Sequence, residues 1–118
     1  MDATQLRIAI GAHSMWKTRL AAAVRSGAPD LDSVDLARDD ACEFGRWLYC
    51  LPAEMRGPEW RSVCECHRAF HTAAAAVAAL VEVGDPAGAQ RLMAAGSQFA
   101  TASTECTLAM LGWIKRLP

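Results

Sequence analysis

Between residues 60 and 81 the chain carries an unbroken helical stripe, which limits the fold more than any other feature. Trp60, Val63, His67, Phe70, Ala74, Val77 and Val81 follow one another at alternating steps of three and four. That spacing lines side chains up on one helix face. Cys64, His71 and Ala78 widen the stripe. Pro58 suits the first turn of such a helix, and Gly84 suits its end. A helix with one long apolar face must bury it, so the remaining question is what covers it.

The other segments read the same way. From about residue 4 to 25, Leu6, Ala9, Ile10, His13, Trp16, Leu20 and Val24 keep helical spacing until Ser26-Gly27-Ala28-Pro29-Asp30 stops them. A shorter helix is predicted over roughly 35–51, with an acidic start and Pro52 behind it. Asp85-Pro86 opens a last helix that carries Leu92, Ala95, Phe99, Ala102, Cys106, Ala109 and Trp113 on one face. The pattern predicts an all-α fold, an antiparallel four-helix bundle with one short helix, formed as a single domain over 1–118.

Composition then narrows the function. With 53% hydrophobic residues the chain has enough apolar matter for one core. A net charge of −1 without a basic stripe argues against a nucleic-acid partner. The longest uncharged stretches hold 13 residues, and a membrane span needs about 20. The first residues show no basic region followed by an apolar run, so no signal peptide is expected. Five cysteines, an odd number, fit reduced thiols in the cytoplasm better than a disulfide framework.

The chemistry sits on the apolar faces. His67 and His71, four residues apart, share one face and can reach one point. Arg68 stands where a zinc protease needs glutamate, which removes that reading. His13 also faces inward. One buried histidine is ordinarily a hydrogen-bonded core residue, but three bury many nitrogens that need partners, and a shared metal satisfies them together. Zinc prefers four nitrogen and sulfur donors in a tetrahedron. The fourth is expected from the helix without a histidine, where Cys42 lies. Gly45, one turn later on the same face, points to close helix approach, since glycine costs about 1 kcal/mol against alanine in a helix. Four protein ligands leave no open position for catalysis, so an enzyme is not expected. Paired Glu-x-x-His motifs for a di-iron bundle are also missing.

His13-x-x-Trp16-Lys17, Asp39-x-x-Cys42-x-Phe44-Gly45-x-Trp47-Leu48-Tyr49 and His67-x-x-x-His71 together resemble the chemoreceptor zinc-binding (CZB) domain family. The resemblance implies a bacterial cytoplasmic helical bundle, commonly a homodimer, with zinc held by His13, Cys42, His67 and His71. It places Trp16, Asp39 and Gly45 around these ligands. Asp39 matches an acidic position that can orient an imidazole or tune the thiolate; the plainer reading is a helix-start acid. Such domains are usually attached to chemoreceptors or diguanylate cyclases and report zinc availability or oxidants such as hypochlorous acid. No cyclase, methyl-accepting hairpin or coiled coil occurs in these 118 residues. The output is therefore expected in another protein or in a longer one. A structural zinc staple serving dimerisation is the alternative. Cys50 and Cys106 read as small buried hydrophobes, and Cys64 shares the face of His67. Cys66 points away from Cys64, so the two form no chelate within a helix.

Overall fold

In the computed structural model, which describes residues 3–27 and 32–117, helices and their connectors make up the described residues. The order is α1 (Thr4–Ser26), α2 (Ser33–Leu36), α3 (Glu43–Tyr49), a 3-10 turn (Ala53–Met55), α4 (Pro58–Glu82), α5 (Pro86–Leu92) and α6 (Gln98–Arg116). Residues 28–31, which include Ala28-Pro29-Asp30 of the expected stop after α1, lie outside the described residues. Helix α4 is the central element and packs on α6, α5, α2 and α1.

Two apolar clusters fix the directions. The first contains Leu20 and Val24 of α1, Leu36 of α2, Val77 and Val81 of α4, and Phe99 of α6. The second contains Leu6 of α1, Phe44 and Leu48 of α3, Val63 of α4, and Met110 and Trp113 of α6. So α1 and α4 run from the second cluster to the first, while the α2–α3 and α5–α6 segments return. This is the up-down-up-down arrangement of a four-helix bundle. Two of its four walls are broken.

The predicted helix over 35–51 is not continuous. Asp32 caps α2 by accepting the Val34 N–H at 2.9 Å, and α2 ends after one turn. Residues 37–42 are not helical, and α3 begins only after Cys42. The last predicted helix is also interrupted. Gly96, at φ 83°, takes a conformation open to glycine, and Ser97 then caps α6 through the Ala100 N–H at 3.2 Å. Ala94 and Ala95 are strong helix formers, which is why the pattern reads through the break. Leu92 and Ala95, expected on the apolar seam, are exposed.

Candidate metal centre

The three histidines sit where the two apolar clusters meet. On α1, His13 falls between Ala9 of one cluster and Leu20 of the other; on α4, His67 falls between Cys64 and Phe70. Exposure is 7% for His13, 0% for His67 and 5% for His71. One ligand atom from each lies within 4.8 Å of the other two.

Hydrogen bonds decide which nitrogens face the centre. Nδ1 of His71 lies 2.8 Å from the Leu36 carbonyl oxygen, so it must donate there, and Nε2 is left with a lone pair. That Nε2 stands 3.0 Å from Nε2 of His67. Cys42 Sγ approaches the same His67 nitrogen at 3.4 Å. Among the described residues, His67 Nδ1 is buried without a hydrogen-bond partner. Hydrogen bonding among the described residues therefore leaves this cluster unsatisfied.

Cys42 is held by a loop rather than by a helix. It is the N-cap of α3, and its sulfur accepts the Gly45 N–H at 3.2 Å. It is half-buried and borders the same cleft as Trp16, Arg19 and His71. Burial pushes the Cys42 thiol up, and the Gly45 N–H pulls the other way. Burial, with His71 beside them, draws His13 down to about 4 and His67 down to about 3. Both are neutral at pH 7 and keep their lone pairs for a metal.

These donors fit zinc. A tetrahedral ion with Zn–N of roughly 2.0–2.1 Å and Zn–S of about 2.3 Å sets two nitrogens about 3.4 Å apart, and a nitrogen and a sulfur about 3.6 Å apart. The 3.0 Å and 3.4 Å separations at His67 are close to those values. Imidazole and thiolate are also the donor types that zinc selects.

Asp39 does not reach an imidazole through any hydrogen bond among the described residues. Its carboxylate accepts the Tyr49 hydroxyl and faces Arg68 Nε at 3.6 Å. Its carbonyl oxygen lies 3.9 Å from the Cys42 sulfur. Nor is Asp39 a helix-start acid, because it lies in the break between α2 and α3. Gly45 is in α3, and its close neighbour is the Asp39 backbone rather than another helix. Trp16 is half-buried against the first cluster, with Arg19 stacked 4.6 Å from its ring centre.

The other cysteines separate. Cys64 is buried and Cys66 half-buried; Cys50, expected inside, is exposed. Cys106, expected to be a plain buried hydrophobe, comes to 4.0 Å from Nδ1 of His13. Sequence reasoning missed this contact, together with the Leu36 carbonyl, Tyr49 and Arg68. A backbone carbonyl leaves no mark in a sequence, whereas Cys106 was visible on the inward face of its helix.

Residues 13–78, more than half of the chain and a span that includes His13, Cys42, His67 and His71, match the chemoreceptor zinc-binding domain family. The chain belongs to that family. As a chemoreceptor zinc-binding domain it has a buried histidine group able to hold a metal ion, on a helical bundle in which, among the described residues, no helix is long and apolar enough to cross a membrane. Helix α6, including Cys106, lies outside the matched span. Neither the curated proteins nor the solved structures gave a match.

Proposed function

We propose that this domain binds one zinc ion through His13, Cys42, His67 and His71 and uses the centre as a cytoplasmic sensor. It would report zinc availability, or oxidants such as hypochlorous acid, to a chemoreceptor or diguanylate cyclase partner. The observation that carries the reading is the asymmetry of the donors. Three are imidazoles buried on long helices, while Cys42 is half-buried on the connector before a seven-residue helix. One donor can therefore leave without the core opening, which suits a site that must respond.

Bound zinc would keep the Cys42 sulfur as thiolate at neutral pH. The thiolate attacks the chlorine-bearing oxidant, and the balance is RS⁻ + HOCl → RSOH + Cl⁻. Sulfur loses two electrons and chlorine gains them. The sulfenic acid is a poorer ligand. Freed of its sulfur contact, the connector before α3 can move.

The test is metal analysis of protein purified without added metal, followed by titration with hypochlorite while zinc release is recorded. About one zinc per chain, released in step with oxidation of Cys42, supports the sensor. Zinc that stays bound while other cysteines oxidise supports a structural staple. The burial of all three histidines between the two core clusters would suit that second reading.

A homodimer is part of the proposal. Met15 on α1 is 70% exposed and Leu108 on α6 62%, apolar surface that a second copy could cover. Light scattering that gives 12.7 kDa at high micromolar concentration would remove it.

A further inference from the structure

The proposed ligands come from α1, the connector before α3, and α4. Helix α6, which packs closely on α4, supplies none. It nevertheless reaches the centre at one point. Cys106 lies on its buried face with Phe99, Ala102 and Met110, is 1% exposed, and sets its sulfur 4.0 Å from Nδ1 of His13.

The contact matters because of how imidazoles ligate. A neutral ring has one N–H and one lone pair, and the partner of the N–H decides which nitrogen is offered to a metal. His71 shows the arrangement: Nδ1 donates to the Leu36 carbonyl and Nε2 faces inward. Among the described residues, the corresponding Nδ1 of His13 meets no carbonyl or carboxylate; the polar atom beside it is the Cys106 sulfur. Phe70 lies tilted at 4.7 Å and Phe44 stands edge-on at 6.1 Å, so the ring lies among apolar surfaces.

We propose that Cys106 is the positioning residue of His13: its sulfur accepts the Nδ1–H hydrogen bond, fixes the tautomer, and leaves Nε2 for the metal. The inference rests on the four-ligand reading above. It gives α6 a link to the centre through one side chain, so a change at His13 is felt on the helix that exposes Leu108 and Leu111. It also separates Cys106 from the other thiols. Cys106 would neither bind the metal nor react with oxidant, and its effect would pass through His13.

The experiment uses the full chain, zinc-loaded and labelled with ¹⁵N. Long-range ¹H–¹⁵N spectra identify which nitrogen of each histidine carries the proton. The expected result is His13 with the proton on Nδ1 and the metal on Nε2, the proton exchanging slowly with solvent. In Cys106→Ala that exchange should quicken at least tenfold, and zinc should bind about tenfold more weakly, as when an outer partner of a ligating histidine is lost. Cys106→Ser, which restores an acceptor, should recover part of both. Metal on Nδ1 of His13 in the wild type overturns the inference, as does an unchanged exchange rate and zinc affinity in Cys106→Ala. If Cys106→Ala does not fold, the wild-type spectrum and Cys106→Ser decide. Failure of the underlying reading looks different: His13→Ala would then bind zinc as tightly as the wild type, or the wild type would take up none.

Discussion

A side-chain carbon added to Gly45 would lie 1.8 Å from the carbonyl oxygen of Asp39. Two consecutive stretches, the connector that ends in Cys42 and the first turn of α3, are pressed together at that point. Backbone cannot swing aside as a flexible side chain can, so Gly45→Ala must shift Asp39, and Cys42 with it. The variant should lose about 1–3 kcal/mol of stability by chemical denaturation, the range of an overpacked site. Zinc affinity, read by chelator competition, should fall as well. Wild-type values in both would mean that the connector is loose enough to move freely.

Much of this architecture was legible beforehand. The steps from Trp60 to Val81 announced α4, and the inward positions of His13, His67 and His71 follow from helical spacing alone. The breaks were not read. Gly96-Ser97 is a recognisable stop and start, but it is embedded in apolar spacing that continues across it. The break at 37–42 was hidden differently: a cysteine is an unusual N-cap, and nothing in Asp39-Asp40-Ala41 forbids helix. Gly45 reads in the sequence as a place of close helix approach, but what approaches it is the Asp39 carbonyl of the preceding connector, because backbone contacts across a turn have no side-chain signature.

Asp39 ties the same connector to two helices. Tyr49 of α3 donates its hydroxyl to the carboxylate, and Arg68 of α4 faces it at 3.6 Å. Burial and the bond to Asp39 raise the phenol to about 12, so it remains a donor at neutral pH. Tyr49→Phe removes only the hydroxyl. It should cost about 0.5–1.5 kcal/mol, with more expected from the charged acceptor left behind. Arg68 is largely exposed, and Arg68→Ala should change stability less than Tyr49→Phe does. A larger loss in Arg68→Ala than in Tyr49→Phe would show that the ion pair, not the phenol, holds the connector.

Acid should unfold the metal-free domain early. His13, at about 4, and His67, at about 3, are depressed by burial below the ordinary value of 6.5. Between pH 6.5 and 4 the unfolded chain takes up protons that the folded chain refuses, so stability falls as pH falls. Each proton contributes a slope of about 1.4 kcal/mol per pH unit. Denaturation midpoints measured at pH 7.5, 6, 5 and 4.5 should decline steadily below pH 6.5. The decline should be shallower in His67→Phe, which removes one of the two groups. A flat profile to pH 4.5 would mean that these histidines do not titrate as buried neutral rings.

Cysteine reactivity with and without metal distinguishes sensing from stapling. In the metal-free chain, attack by a thiol reagent should follow access. Cys50 is exposed, Cys42 and Cys66 are half-buried, and Cys64 and Cys106 are buried. Burial also raises the Cys64 thiol to about 11 and that of Cys106 to about 12, so these two hold little thiolate. Iodoacetamide should therefore label Cys50 first and Cys106 last. Zinc should change the order for hypochlorite, because a ligated sulfur reacts as thiolate whatever its ordinary acidity. Substoichiometric hypochlorite on the zinc-loaded domain should then modify Cys42 before Cys50, and the zinc released should match the Cys42 oxidised. Cys42→Ser should retain weaker zinc binding and lose the oxidant response. Mass spectrometry that finds Cys50 oxidised first in both forms, with zinc still bound, would leave Cys42 a structural ligand and make zinc itself the signal to be tested.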